Sequence, residues 1–115
     1  MITPAEHIDM ETLAELKEVM EDEFQILIDT FLSDSQKRLS AIKAALESAS
    51  ADDLRSAAHS FKGSSSNIGA PLLAEHLKKL EEMGRVGDLT GAPNSLKLVE
   101  AEYQAVQQSL RKLVN

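Results

Sequence analysis

A lone histidine, His59, stands where the chain breaks a local rule of helix formation. An imidazole has an unperturbed pKa of about 6.5, so a large fraction is neutral at pH 7 and can act as a nucleophile. Four residues later comes Gly63, and a glycine inside an exposed helix costs about 1 kcal/mol relative to alanine. The three serines that follow weaken the helix further. Because this cost falls beside the histidine, the sequence indicates that something must approach the ring closely.

The segment around His59 has the apolar spacing of one helix face. That face comprises Leu54, Ala58, Phe61, Ser65 and Ile68, with Ala57 alongside. At about 100° per residue, His59 lies roughly 150° from the centre of the apolar face, so we expect it to point to solvent. The residues within roughly 60° of His59, which share its face, are Arg55, Lys62, Gly63 and Ser66. A lone exposed histidine is usually an ordinary surface residue. The residues that share its face decide whether His59 is such a residue or a nucleophile.

The residues from His59 to Ala70 carry a resemblance to a known family. The run His-Ser-Phe-Lys-Gly-Ser-Ser-Ser-Asn-Ile-Gly-Ala resembles the signature of histidine-containing phosphotransfer (HPt) domains. In that signature a histidine is followed by a lysine three residues on, a glycine four residues on, small residues and a closing Gly-Ala. The resemblance extends over twelve consecutive positions and implies a stand-alone bacterial protein of this family.

The resemblance implies a role for each residue beside the histidine. His59 would attack a phosphoryl group in line and hold it as a phosphoramidate. Lys62, one turn on, would supply positive charge for the phosphoryl oxygens, and Gly63 would clear the approach path. Ser66, two turns on, would hydrogen-bond the ring or the phosphoryl group. Arg55 is assigned a weaker supporting role.

HPt domains often place a glutamine or another polar residue on the neighbouring helix, close to the histidine. Counting along the motif puts that position at Glu81, with Lys78 one turn earlier. A glutamate that pointed inward would repel a phosphoryl group. We therefore predict a weak supporting role for Lys78 and leave Glu81 out of the predicted site.

The other two histidines are not expected to form a site. His7 falls in a predicted extended lead-in over 1–8 and is expected to be exposed, whereas His76 lies at the edge of an apolar helix face and is expected to be partly buried. No histidine pair has metal-ligand spacing, and no Ser-His-Asp or paired-carboxylate arrangement is visible. We therefore expect no metal and no cofactor. The resemblance likewise implies no ATP site, and it assigns magnesium to the receiver domain that would be the partner.

Composition limits the classes of protein. At 115 residues, the chain is expected to form a single domain over 1–115 and to be a monomer. Its net charge of −7 argues against a nucleic-acid partner, and the lack of cysteine excludes disulfides and thiolate metal sites. No apolar run approaches ~18 residues and no signal peptide is visible, so we expect a cytoplasmic protein without a membrane segment.

Alanine, leucine, glutamate and lysine dominate the sequence, which favours an all-α fold. Apolar periodicity predicts helices over 10–19, 22–48, 51–68, 71–83 and 94–113, and a loop over 85–93. Gly84 is predicted to follow the end of the fourth of these helices. Four long helices with short connections predict an up-down-up-down antiparallel four-helix bundle, with the short N-terminal helix across one end.

The predicted function is that of a phosphorelay carrier. As the resemblance implies, His59 would accept a phosphoryl group from the receiver-domain aspartate of a hybrid sensor kinase and pass it to the aspartate of a response regulator. The residues expected to contribute an apolar docking surface for the receiver are Leu13, Leu16, Met20 and Phe24, although the same residues could instead seal the end of the bundle. The alternative function is a non-catalytic four-helix adaptor that binds a partner without phosphotransfer.

Overall fold

Five α-helices account for most of residues 7–114, the part of the chain that the computed structural model describes. They are α1 (Met10–Met20), α2 (Asp22–Glu47), α3 (Ala51–Asn67), α4 (Pro71–Val86) and α5 (Ala92–Val114). The described residues contain no strand, so the predicted all-α class is confirmed. Of the predicted lead-in, residues 1–6 lie outside the described range. None of the helices described is both long and apolar enough to cross a membrane.

The helix starts depend on capping groups that the sequence makes visible. The Asp9 carboxylate accepts a hydrogen bond from the backbone N–H of Thr12 at 3.1 Å, and the Ser50 hydroxyl accepts one from Asp53 at 3.3 Å. Pro71 is the first residue of α4, a position where its missing N–H leaves no helical bond unmade. α2 starts at Asp22 without a side-chain cap, and the predicted starts of the first four helices are all confirmed.

The end of α4 and the start of α5 differ from the prediction. α4 continues to Val86 and ends at Gly87, whose φ of 79° is left-handed and whose N–H donates to the Met83 carbonyl. Gly84 is buried inside α4, so its predicted place after the helix end is wrong. α5 begins at Ala92 rather than at residue 94, which shortens the connection to residues 87–91. Local sequence did not distinguish the two glycines, because a glycine can serve helix packing as well as helix termination.

Gly84 lets α3 and α4 approach each other closely. A Cβ atom at this position would lie 2.7 Å from both the Ala51 carbonyl oxygen and the Arg55 amide nitrogen. Both are backbone atoms, so the helices would have to move apart. We expect Gly84→Ala to lower the free energy of unfolding by about 1–3 kcal/mol, because overpacking outweighs the gain in helix propensity.

Denaturant unfolding of the Gly84→Ala variant measures this effect, with Gly63→Ala as the matched control. A Cβ at Gly63 would meet nothing within 4 Å among residues 7–114, so the control should be more stable than wild type by about 0.5–1 kcal/mol. If Gly84→Ala were as stable as the control, the close approach of α3 and α4 would contribute nothing to stability.

The four long helices form a closed ring. Consecutive helices pack against each other, α5 also packs against α2, and the α3–α4 interface is the most extensive. On α3, Phe61 is fully buried and meets the Tyr103 ring edge-on, with 5.9 Å between the ring centroids. The rest of the predicted apolar face of α3 is buried too, apart from the half-buried Ala57. This packing fixes the rotation of α3 and turns the opposite face outward.

Helix α1 lies across one end of this bundle, as predicted. At its start, the Asp9 N–H donates to the Gly69 carbonyl in the α3–α4 connection at 2.7 Å. Near its end, the Lys17 ammonium donates to the carbonyl of Leu113, at the end of α5, at 2.6 Å. These two contacts join α1 to three of the four bundle helices, in addition to its packing on α2.

Candidate functional site

His59 lies in the middle of α3, on the face that points away from the core. Its side chain is 67% exposed, whereas Ala58 and Phe61 beside it are fully buried. The ring is therefore accessible to a large partner without any rearrangement of the bundle.

Glu81 of α4 contacts the histidine ring. Its Oε2 lies 2.9 Å from Nδ1 of His59. An ionised carboxylate only accepts hydrogen bonds, so Nδ1 is the donor and carries a proton. In the neutral ring, the lone pair is then on Nε2, which makes Nε2 the nucleophilic atom.

Lys62 contacts the other oxygen of the same carboxylate. Its Nζ lies 2.6 Å from Oε1 of Glu81, and both side chains are largely buried, with 28% of Lys62 and 23% of Glu81 exposed. The Lys62 ammonium, and to a smaller extent His59, lower the pKa of Glu81 below its usual value, although burial alone would raise it. Glu81 is therefore ionised at neutral pH and bridges the histidine and the lysine.

Glu81 is the site residue that the sequence analysis left out. The objection was that a glutamate would repel a phosphoryl group, but the structure gives this carboxylate a cationic partner, Lys62, and a ring proton to accept. The sequence did contain a signal for Glu81, because the motif places this carboxylate next to a lysine and a histidine that can both donate hydrogen bonds to it. Lys78, which was preferred to Glu81, is exposed, and in residues 7–114 no hydrogen bond or ion pair links it to His59.

The other residues predicted around His59 are placed as follows. Gly63 is exposed within α3, and the space where its side chain would be is open. The side chain of Ser66 is also exposed, but no hydrogen bond joins it to His59 in the described part of the chain. Arg55 belongs to a small recess that surrounds the ring. The recess is lined by Arg55, Ser56, His59, Ser60 and Glu81.

A wider groove runs between α2 and α3 and shares Ser56 and Ser60 with this recess. Its volume is about 680 Å³, and its lining includes Ala41, Ala44, Ala45 and Ala57. Arg38 of α2 also lines the groove, and its buried Nε has no hydrogen-bond partner among residues 7–114. The exposed ring of His59 therefore lies at the edge of an indented surface.

Two of the four residues predicted for partner docking are core residues. Leu13 and Phe24 are 0% and 1% exposed, so they cannot contact a partner and instead seal the end of the bundle. Leu16 and Met20 are half-buried and pack against the core. The apolar side chains that are well exposed in this region are Val19 on α1 and Ile26 on α2, at 82% and 64%. The periodicity of short α1 did not distinguish its inner face from its outer face.

The remaining histidines are less accessible than His59. His7 was expected to be exposed, but only 21% of its side chain is, and its Nδ1 lies 2.6 Å from Oε2 of the buried Glu102. This prediction is wrong because the contact joins residues 95 positions apart, which no local pattern reveals. His76 is half-buried, as predicted.

Comparison with known proteins agrees with this geometry. The model of the family described as Hpt domain matches residues 26–109. The chain is also similar to the crystal structure of histidine-containing phosphotransfer protein B (HptB) from Pseudomonas aeruginosa PAO1. The two share 48% sequence identity with a TM-score of 0.87, and the match covers 92% of each chain. Among curated proteins the comparison finds no match.

The similarity to HptB agrees with a narrower resemblance in the sequence. Two stretches, Met20–Phe24 and Ala57–Asn67, look similar to the stand-alone HptB proteins of pseudomonads. The structural match confirms that resemblance.

Proposed function

This chain belongs to the Hpt domain family, and we propose that it is the histidine phosphotransfer intermediate of a phosphorelay. His59 accepts a phosphoryl group from the receiver-domain aspartate of a hybrid sensor kinase, and the protein passes the group to the aspartate of a response regulator. The observation that carries the proposal is the exposed ring of His59, whose Nδ1 proton is bound by Glu81 so that Nε2 is free to attack.

Phosphoryl transfer forms one bond on His59 and breaks one bond on the receiver aspartate. The Nε2 lone pair forms a bond to phosphorus, the bond between phosphorus and the aspartate oxygen breaks, and its electron pair returns to the aspartate carboxylate. Nδ1 of His59 keeps its proton throughout. Transfer to the response regulator is the reverse of this step on a second aspartate, so the protein needs no nucleotide of its own and acts as a carrier.

The open position at Gly63 supports the approach of the donor. In-line attack requires the reacting atoms to come within about 3–3.5 Å of each other. The Cβ position of Gly63 is empty and exposed, one turn from His59, so the receiver's active site can reach the ring. The groove between α2 and α3 extends the same surface and supports docking of the receiver beside the ring.

The proposal covers the whole chain. Residues 1–115 form one domain that works as a monomer in the cytoplasm, and its partners are receiver domains. Half-buried Leu16 and Met20 and exposed Val19 and Ile26 are apolar residues on α1 and α2 that are available to such a partner. Arg55, Ser66 and Lys78 have at most an electrostatic or hydrogen-bonding role once the phosphoryl group is present.

We expect Lys62→Ala to slow transfer without abolishing it. The ammonium already lies beside the ring, where it would stabilise the charge on the phosphoryl oxygens, but it is not the nucleophile. Losing one such contact is worth about 1–3 kcal/mol, or roughly 5- to 150-fold in rate. Single-turnover transfer from a phosphorylated receiver measures this effect. The matched control is Lys43→Ala on α2, which removes a lysine that pairs with Glu100. An unchanged transfer rate in Lys62→Ala would mean that Lys62 has no part in transfer.

Reconstitution of the relay tests the proposed function. A labelled phosphorylated receiver from a hybrid kinase is mixed with the receiver of a response regulator, with and without this protein. We expect the label to reach the second receiver quickly only when the protein is present, and to pass through an acid-labile form on the protein. If the protein binds the receivers but the label does not move, the chain is an adaptor and the proposal fails.

A further inference from the structure

The ring nitrogen that does not carry the phosphoryl group controls how easily the P–N bond breaks. When Nε2 is phosphorylated and Nδ1 is protonated, the ring is cationic and leaves as a neutral imidazole. When Nδ1 has lost its proton, the ring must leave as an imidazolate anion, a much poorer leaving group. A phosphohistidine therefore remains an active donor only as long as Nδ1 keeps its proton.

The structure places an ionised carboxylate on that nitrogen. Oε2 of Glu81 lies 2.9 Å from Nδ1 of His59, and Lys62, which contacts the other oxygen at 2.6 Å, lowers the pKa of Glu81 further below its usual value. The ionised carboxylate already makes this hydrogen bond charge-assisted. The bond becomes stronger once the ring is phosphorylated and cationic, because two opposite charges then attract each other across it.

We propose that Glu81 is a positioning residue that retains the Nδ1 proton of phosphorylated His59, so that the protein remains a phosphoryl donor at alkaline pH. This inference rests on the proposed function and deepens it, since it concerns the release of the phosphoryl group and not its arrival.

The cations closest to the ring act against retention of the proton. On α3, Arg55 lines the recess and Lys62 lies beside Glu81, and both cations favour proton loss from a cationic ring. On α4, Lys78 is exposed and Glu82 is paired with Arg85. The charged residues of α2 that line the neighbouring groove are Asp34, Lys37 and Arg38. Within residues 7–114, Glu81 is the carboxylate that contacts the ring, so retention of the proton depends on it.

The test is a pair of pH titrations on the full chain, phosphorylated by a labelled receiver. In the first, the ³¹P chemical shift of the phosphorylated protein is followed over a pH range, and its midpoint reports loss of the Nδ1 proton. In Glu81→Gln the amide can still accept the hydrogen bond but carries no charge. We expect the midpoint to move to lower pH by about one unit, which is a tenfold loss of proton affinity.

The second titration measures the rate of transfer to a fresh receiver. Above the midpoints, Glu81→Gln should transfer about tenfold more slowly than wild type, because the populations of the protonated ring differ by that factor. Below both midpoints the two proteins should transfer at similar rates. A merely structural role for Glu81 would lower the rate at every pH and would leave the midpoint unchanged.

Two variants serve as controls. Glu82→Gln removes the adjacent carboxylate, which is exposed and paired with Arg85, and should leave both titrations unchanged. Lys62→Ala also breaks the ion pair with Glu81, but it removes the cation and keeps the carboxylate, so the midpoint should move upward or stay in place. A downward shift in Glu81→Gln alone would therefore result from loss of the carboxylate and not from loss of the ion pair. If Glu81→Gln and wild type titrate together, the inference is wrong while the proposed function stands. If wild type takes up no phosphoryl group, the proposed function itself fails.

Discussion

His59→Gln is expected to carry no phosphoryl group after incubation with a phosphorylated receiver domain, under conditions that label wild type. The amide nitrogen of glutamine has no available lone pair, so no phosphoramidate can form. The fold should be preserved, because the side chain is 67% exposed and its removal should change the free energy of unfolding by no more than about 0.5 kcal/mol. Radiolabel on the protein band and a denaturant melt of the same preparation measure the two effects.

The other histidines provide the matched controls. His76→Gln and His7→Gln should accept the phosphoryl group at the wild-type rate, since His76 is half-buried and His7 is bonded to Glu102. Persistent label on His59→Gln, accompanied by loss of label in either control, would move the assignment to that histidine.

Gly63→Gln is expected to transfer far more slowly than wild type while melting at a higher temperature. The position is an ordinary interior residue of α3, so glutamine should add about 0.5–1 kcal/mol of stability and raise the thermal midpoint by about 2–6 °C. Its side chain would nevertheless stand one turn from His59, on the face where the receiver must approach. A displacement of the donor by about 1 Å lowers the rate on the order of a hundredfold.

The measurement pairs a melting curve with a transfer time course on one preparation. Gly63→Ala is the control, because a methyl group at this position meets nothing within 4 Å in the described part of the chain and should stabilise the helix at least as much as glutamine, with little obstruction. Wild-type transfer by Gly63→Gln would mean that the glycine clears no path. A lower melting temperature for both variants would mean that this part of α3 is not an ordinary helix.

The features that the sequence predicted correctly are those carried by local patterns. The starts of α1 and α3 follow from the capping side chains of Asp9 and Ser50, and the start of α4 follows from Pro71. The outward direction of His59 follows from the apolar period of α3, because Phe61 and its neighbours must face the core. The helix starts and the direction of His59 both depend on residues within one helix, so the spacing of residue types is enough to predict them.

The features that the sequence did not predict depend on how separate helices are aligned. The contact of Glu81 with His59 requires the register between α3 and α4, which the close approach at Gly84 helps to fix. The prediction for Gly84 was wrong, because the spacing of residues along one helix does not reveal contact with the backbone of another helix. The burial of Leu13 and the contact of His7 with Glu102 likewise arise from packing across the bundle.

The position of the phosphoryl group on the wild-type protein shows whether His59 is the phosphoryl acceptor. The protein is incubated with a phosphorylated receiver, and its mass is measured before and after treatment with acid, with fragmentation to locate the modification. We predict one phosphoryl group on His59, lost in acid and retained in alkali. A phosphoryl group on any other residue, or an unchanged mass with a receiver that is competent to transfer, would contradict the account.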